Sequence, residues 1–314
     1  MTDVTDAVVY AHHELGKELS NWGRWGADDQ IGTLNFVTAE KRVAAAKLVR
    51  TGKSFDLSLP FDKDGPWLPD GWRFNPIHKM TLLPGDSAGA PDGCISADDM
   101  VIMGLQAATQ WDGLAHVGYH DRFYNDVPAR AVNSFVGAAR NGYEHVVNNL
   151  TTRGVLLDIP RAKGVDRLEK SYQITEADLL LAEEKQGITV GTGDVVLLRT
   201  GWMKYFHEGN KEQFNKESPG PFLDTCRWIH SREIAALAVD QTNGEVWPCP
   251  IPKSIIPFHQ VVIRDIGLTL GEMFDLEALA DDCAEDGVYE FLFTGPGLKV
   301  TGAVGSPVTP IAIK

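Results

Sequence analysis

The chain contains little cysteine, and the cysteines that it has are scattered. Only four of its 314 residues are cysteine, and no two of them form a CxxC pair. This spacing excludes a zinc ribbon and a CxxC redox motif. We therefore expect free thiols, as in a reducing cytosol, at Cys94, Cys226, Cys249 and Cys283.

Basic residues and long apolar runs are also scarce. Acidic residues outnumber basic ones by 43 to 29, the net charge is −14, and no basic patch is visible. Nucleic acid and anionic membranes are therefore not expected as partners. No segment approaches the ~18 consecutive apolar residues of a membrane span. Residues 1–6 lack the basic and apolar regions of a signal peptide. These absences predict a cytoplasmic protein, and a content of 43% hydrophobic residues allows a sizeable core.

The most informative stretch covers residues 106–116. It follows an apolar run, residues 100–105, which predicts a buried strand. Asp112 and His116 are four positions apart, so a carboxylate and an imidazole can converge on a metal ion or on a water molecule. The alternative is a turn in which Asp112 caps the strand end and His116 is a structural neighbour. Three further polar side chains lie in the same stretch, namely Gln106, Thr109 and Gln110.

This stretch resembles the motif His-x-Gly-Thr-His-x-Asp-x-Pro-x-His of the metal-dependent cyclase family, which includes bacterial kynurenine formamidase and isatin hydrolase. Thr109, Asp112 and His116 match the motif, whereas Gln106 and Gln110 stand in place of its first two histidines. The resemblance implies that Asp112 is a metal ligand and that His116 is an acid/base. An amide oxygen binds a hard cation but is a poorer zinc ligand than imidazole. The expected cofactor is therefore a divalent metal (manganese, zinc or magnesium), held with Gln110 as a weak ligand, rather than a tight dinuclear zinc site.

A second stretch carries the same resemblance. Residues 258–264 and 271–279 are similar to the family's late segment, where a histidine and a glutamate complete the metal site. His259 and Glu272 match these two positions, so the resemblance implies that both are metal ligands. Asp240 and residues 193–202 resemble two further family segments, and the whole resemblance covers roughly residues 53 to 312.

Several residues are candidates for contact with a substrate. Arg24 lies in a loop rich in tryptophan and glycine, residues 22–34, which either covers a pocket or packs on the body. His120 is either a substitute ligand, a substrate contact or a loop histidine bonded to backbone. His12 and His13, near the N-terminus, are expected to be exposed to solvent. The full set of predicted substrate contacts is Gln106, Gln110, Trp111, His120, Arg24 and Trp202.

Helical and strand patterns alternate along the chain without a repeat or a linker, which predicts an α/β fold. Helices are expected over residues 7–20, 38–52, 175–187, 221–231 and part of 133–152. Strands are expected over residues 54–59, 72–82, 154–159, 194–199, 234–239, 289–293 and 299–313. The resemblance implies a single β-rich domain of the swivelling β/β/α cyclase type, often homo-oligomeric. Residues 53–314 would form this catalytic domain, and residues 1–52 an N-terminal extension packed on it.

The resemblance and the retained side chains predict a hydrolase of an amide, cyclic amide or lactone bond, similar to an arylformamidase. His116 would activate water, with or without a metal ion. The aromatic residues near the motif indicate an aromatic or planar small-molecule substrate. Two alternatives stay open. One is a lyase or isomerase that uses the same base, and the other is a catalytically silent homologue that binds a small molecule.

Overall fold

The computed structural model describes residues 10–314. The N-terminal stretch used to exclude a signal peptide lies outside this range, as do residues 7–9 of the first predicted helix. The helices, in chain order, are α1 (Ala11–Glu18), α2 (Ala39–Ala46), α3 (Ile159–Lys163), α4 (Glu176–Gln186), α5 (Met203–His207), α6 (Lys211–Phe214), α7 (Thr225–Arg232), α8 (Pro257–His259) and α9 (Glu277–Asp286). Helix α8 continues directly as a π-helix over Gln260–Ile266. Of the helices between residues 10 and 314, none combines the length and the apolar character that crossing a bilayer requires.

Strands make up the centre of the molecule. In chain order they are β1 (Ser54–Asp56), β2 (Ile77–Leu82), β3 (Asp98–Ile102), β4 (Gln110–Asp112), β5 (Val132–Asn133), β6 (Gly137–Ala138), β7 (Thr151–Asp158), β8 (Gln173–Ile174), β9 (Val195–Arg199), β10 (Gly220–Pro221), β11 (Ala236–Val239), β12 (Thr269–Glu272), β13 (Glu290–Thr294), β14 (Gly305–Pro307) and β15 (Ile311–Ile313). Nine of them form one sheet in the order β1-β15-β13-β7-β9-β11-β12-β4-β14. Strands β7, β9, β11 and β12 are parallel to one another, and antiparallel strands flank them on both sides.

The parallel strands are buried on both faces. Successive side chains of a strand point to opposite faces, and in β7 Leu156 belongs to one hydrophobic cluster while Leu157 belongs to the other. Strand β9 repeats this alternation with Leu197 and Leu198. These strands therefore read as continuous apolar runs, as expected for parallel strands covered on both faces. The predictions of strands near 154–159, 194–199 and 234–239 are confirmed as β7, β9 and β11.

Helix α4 lies between the residues predicted to begin and end it, Thr175 and Gly187. The Thr175 side chain accepts a hydrogen bond from the backbone N–H of Asp178, and the Asp178 carboxylate accepts one from the backbone N–H of Thr175. Gly187 ends the helix in a left-handed conformation with φ 63°. The capping residues were therefore sufficient to predict this element from the sequence.

Three sequence-based predictions of elements are wrong in detail. The run at residues 100–105 is not a buried strand, because β3 pairs only with β2 in a separate two-stranded hairpin and all five of its residues are exposed. The buried strand is the adjacent β4. Residues 133–152 form two short strands, single 3-10 turns and the start of β7 rather than an α-helix. The helix predicted over 38–52 ends at Ala46.

The N-terminal segment packs against the body of the molecule. Helix α1 lies against the π-helix, and α2 lies against β7 and β13. The Trp22 indole donates a hydrogen bond to the Arg264 carbonyl (2.6 Å), so this loop packs on the body. The expectation that His12 and His13 are exposed is wrong, because both are buried and both bond to the Gln260 side chain. The division of the chain at residue 52 stays a prediction.

Candidate active site

The pairing of β4 with β12 brings residues from distant parts of the chain together. The two strands are antiparallel, with Gln110 opposite Glu272 and Asp112 opposite Leu270. Gln110 and Asp112 are two positions apart in a strand, so their side chains share one face. The Gln110 Nε2 atom lies 3.1 Å from Asp112 Oδ1 and 3.0 Å from Glu272 Oε2. The register of these strands therefore places two carboxylates and an amide at one point.

His259 joins this group from the end of α8. Its Nε2 atom lies 3.5 Å from Glu272 Oε1 and 3.9 Å from Asp112 Oδ2. Its other ring nitrogen, Nδ1, lies 2.7 Å from Glu245 Oε1. Glu245 also accepts hydrogen bonds from the backbone N–H groups of Phe258 and His259. Glu245 therefore holds the imidazole with Nε2 directed at the other two carboxylates, as the partners of metal-binding histidines commonly do.

The donor atoms fit a divalent cation. One ligand atom from each of Asp112, His259 and Glu272 lies within 4.8 Å of the others. Between residues 10 and 314, two buried oxygens of this group have no hydrogen-bond partner, namely Asp112 Oδ2 and Gln110 Oε1. Buried polar atoms are rarely left unpaired, and carboxylate, amide and imidazole donors suit manganese, magnesium or zinc. Asp112, His259 and Glu272 therefore form a candidate metal site.

The charged groups of the cluster shift one another's pKa values. Burial raises the pKa of Glu272, and the nearby Asp112 carboxylate raises it further. Burial disfavours the charged form of His259, but the hydrogen bonds and charges of Glu245 and Glu272 outweigh it and raise the pKa of His259 to about 10. A cation and a proton thus compete for the same imidazole nitrogen, because a histidine ligand must be unprotonated there.

His116 lies beside the candidate metal site. Its Nε2 atom is 3.6 Å from Asp112 Oδ1. Loss of hydration lowers the pKa of His116 below its ordinary value of 6.5, against the opposing effect of the Asp112 charge. His116 is therefore neutral at neutral pH and able to accept a proton.

A cavity of about 340 Å³ opens over these groups, and His116, His259 and Glu272 form part of its wall. Three tryptophans and one arginine belong to its remaining wall, together with two isoleucines and two polar residues: Trp67, Trp72, Arg73, Thr242, Asn243, Trp247, Ile255 and Ile256. Sequence reasoning missed Arg73 and these tryptophans. The signal available was the run Trp72-Arg73-Phe74, because an arginine flanked by aromatic residues is typical of cation–π contacts.

The structure corrects two predicted substrate contacts outright. The Trp111 side chain is completely buried, donates to the Gly295 carbonyl and packs against Phe274 on the opposite face of β4 from Asp112. The Trp202 side chain is also completely buried and donates to the Phe214 carbonyl. Neither indole has surface to offer a ligand.

Four further predicted contacts lie away from the cavity or beneath it. Arg24 pairs with Glu233 and lies over the Phe36 ring. His120 lines neighbouring cavities beside Tyr119. Gln106 Nε2 is buried close to Gly305, and Gln110 is completely buried under the two carboxylates that it contacts. The structure thus brings His116, His259 and Glu272 to one cavity, with Asp112 buried beside them. It does not bring the predicted substrate contacts to the wall of this cavity.

The fold and the donor set define the chain as an α/β protein with a candidate metal centre at the junction of β4 and β12. A family model described as "Putative cyclase" matches residues 55–246, more than half of the chain, so the chain belongs to this cyclase family. The resemblance that the motifs indicated is thereby confirmed.

Solved structures show the same fold. A crystal structure described as that of a novel cyclase is 40% identical, with a TM-score of 0.86, and the match covers 94% of this chain and 99% of that chain. Isatin hydrolase A from Ralstonia solanacearum is 19% identical, with a TM-score of 0.61 and coverage of 88% and 98%. The predicted cyclase-type α/β fold is therefore confirmed.

One curated relative is an isatin hydrolase from Roseibium aggregatum. It is 26% identical over 141 residues, which are 44% of this chain and 51% of the relative. The match thus spans about half the length of that relative.

Proposed function

We propose that this protein hydrolyses an amide, cyclic amide or lactone bond in a small planar molecule, and that it uses a divalent cation. One observation carries the proposal: His116 faces the same cavity as the Asp112, His259 and Glu272 cluster, with its Nε2 atom 3.6 Å from Asp112 Oδ1. A base beside a candidate cation site is the arrangement that activation of water requires. Relatives named isatin hydrolase add support.

Each residue of the cluster has a distinct role in this proposal. Asp112, His259 and Glu272 hold the cation, with the Gln110 carbonyl oxygen as a further donor after rotation of its amide. A cation bound there supplies a lowered pKa for water and polarises the substrate carbonyl. His116 takes the proton from the attacking water and then gives it to the leaving nitrogen or oxygen. Asp112 orients His116 and favours the imidazolium that forms transiently.

The cavity wall selects a planar substrate. Trp67, Trp72 and Trp247 line the cavity with indole rings, and such rings stack favourably on flat aromatic substrates. A volume of about 340 Å³ suits a small molecule rather than a polymer.

Metal analysis and a substrate panel test the proposal. Purified protein is assayed for bound metal, then treated with chelator and supplied with manganese, magnesium or zinc. An aryl formamide, a cyclic amide and a lactone are offered to wild type, His116→Ala and Asp112→Asn, with His145→Ala as the matched control because this exposed histidine lies away from the cavity. We expect cation-dependent turnover that both cavity variants lose and the control keeps.

Two results would contradict the proposal. Turnover that is unchanged in His116→Ala removes the base. Products that carry no oxygen from labelled water show elimination or isomerisation by the same base instead of hydrolysis.

A further inference from the structure

Arg73 differs from the other shielded arginines of this chain. Its side chain is 15% exposed, and Glu272 is the one carboxylate, among the residues that the structure describes, that its guanidinium approaches. The distance from Nη1 to Glu272 Oε2 is 3.8 Å, which is too long for a hydrogen bond. By contrast, Arg199 is 4% exposed and bonds to Glu277 and Asp158 at 2.8–2.9 Å. The donors of Arg73 therefore remain available on the wall of the cavity.

Two tryptophans lie beside this guanidinium, the buried Trp67 and the exposed Trp72. The Arg73 Cζ atom lies 4.4 Å from the centre of the Trp72 ring and 5.0 Å from that of Trp67. Such contacts are attractive and restrict a side chain that is otherwise flexible. The same two indoles and Arg73 line the cavity, so the guanidinium is part of the wall that a bound molecule would meet.

The charges around Arg73 leave room for one more anion. Among residues 10–314, Glu272 is the only carboxylate within 4.0 Å of the Arg73 guanidinium, and Glu272 also belongs to the candidate metal site. A cation held there engages the charge of Glu272 and leaves the charge of Arg73 without a matching anion. A planar guanidinium binds a carboxylate through two parallel N–H···O bonds.

We propose that Arg73 binds a carboxylate group of the substrate, so that the substrate class is a planar amide or lactone that carries an anionic group. This inference rests on the proposed function in one respect, the identity of the bond that is hydrolysed. Binding of the anionic group depends only on Arg73. Arg73 is thus a specificity residue for the cavity, and neutral analogues lack its contact.

Binding of simple probes tests the inference without turnover. Benzoate and benzamide are titrated into protein supplied with manganese, and binding is followed by tryptophan fluorescence and calorimetry. The variants are Arg73→Met, Arg73→Lys and, as the matched control, Arg167→Met. Arg167 also lies 4.4 Å over an aromatic ring, that of Tyr205, but outside the cavity.

We expect benzoate to bind wild type and Arg167→Met equally, and Arg73→Met about 10- to 100-fold more weakly, since hydrogen bonds to a charged group are lost. The benzoate affinity of Arg73→Lys should lie between those of wild type and Arg73→Met, because lysine keeps the charge but not the planar guanidinium. The affinity for benzamide should be the same in all variants. Equal benzoate affinity in wild type and Arg73→Met would overturn the inference, because benzoate would then bind elsewhere. Melting temperatures of all variants show whether each is folded.

A pair of substrates separates this inference from the proposed function. 2-Formamidobenzoate and formanilide differ only in the carboxylate. Arg73→Met should raise KM for 2-formamidobenzoate by about 10- to 100-fold. For formanilide, its kcat and KM should each stay within about threefold of the wild-type values. An equal loss of kcat for both would show that Arg73 supports Glu272 and would refute the recognition of an anion. If wild type hydrolyses neither compound, the proposed function is in question, while the benzoate titration still decides the role of Arg73.

Discussion

His259 Nδ1 lies 2.7 Å from Glu245 Oε1, and both side chains are buried. Glu245 is not among the three clustered donors of the candidate metal site, yet it accepts three hydrogen bonds from the start of α8, two from backbone and one from the imidazole. One carboxylate therefore fixes both the position of the helix start and the orientation of the ring.

Glu245→Gln should weaken cation binding without removing a ligand. The variant keeps the size of the side chain but loses the negative charge that favours Nε2 as donor to a cation. Loss of such a supporting contact typically costs about 10- to 100-fold in metal affinity. Calorimetric titration of chelator-treated protein with manganese measures it, and Glu212→Gln, an exposed glutamate on α6, is the control. An affinity equal to that of wild type would show that Glu245 has only a structural role.

Gly244→Ala should displace His259. Gly244 has φ 62°, and a Cβ atom there would lie 2.7 Å from His259 Cε1. Gly187 has nearly the same φ, 63°, but open space around its Cβ position. Both alanine variants should lose roughly 1–2 kcal/mol of unfolding free energy from backbone strain, whereas only Gly244→Ala should also lose manganese affinity. Denaturant unfolding and calorimetry measure the two effects, and retained affinity in Gly244→Ala would contradict the steric argument.

The pH dependence of turnover should reflect a neutral His116. Loss of hydration lowers its pKa from the ordinary value of 6.5, so the midpoint of its protonation should lie below pH 6.5. We expect kcat/KM to decline at acid pH with a midpoint below the ordinary imidazole value of 6.5. His116→Ala should lower kcat by about 10²- to 10⁴-fold and abolish this acidic limb. An acidic limb centred above pH 7 would assign it to another group.

The cation-free protein should lose stability in alkali through His259. The folded pKa of about 10 lies above the ordinary 6.5, so protonation stabilises the folded state fully below pH 6.5. This contribution decreases as pH rises from 6.5 and is lost above about 10. Thermal unfolding of chelator-treated protein across this range should show the decrease in wild type but not in His259→Gln. The same slope in both proteins would assign it to other groups.

Thr175→Ala should destabilise the fold without affecting the site. Thr175 caps α4 through a reciprocal pair of hydrogen bonds with Asp178, and loss of an N-cap costs about 0.5–2 kcal/mol. Denaturant unfolding measures the loss, and manganese affinity should be unchanged. A variant as stable as wild type would mean that Asp178 alone, which bonds to Lys163, holds this helix end.

The family, the main strands and four residues of the candidate site could be predicted from the amino-acid sequence. Apolar runs identified β7, β9 and β11, because burial on both faces leaves that pattern in the chain. End signals at Thr175 and Gly187 identified α4, because capping is a local interaction. Asp112 and His116 were found from their spacing and their match to a motif, and His259 and Glu272 from their match alone.

The surroundings of those four residues depend on long-range contacts and could not be predicted. Gln110 and Glu272 are 162 positions apart and meet through the register of β4 and β12. Local patterns report which face of a strand is buried, but they do not report which strand will be its neighbour. Arg73, Glu245 and the lining tryptophans belong to the site because of such long-range contacts. The side chains of Trp111 and Trp202, by contrast, lie in the hydrophobic core. Long-range pairing sets these contacts, because it depends on the packing of the whole sheet rather than on the residues adjacent in the chain.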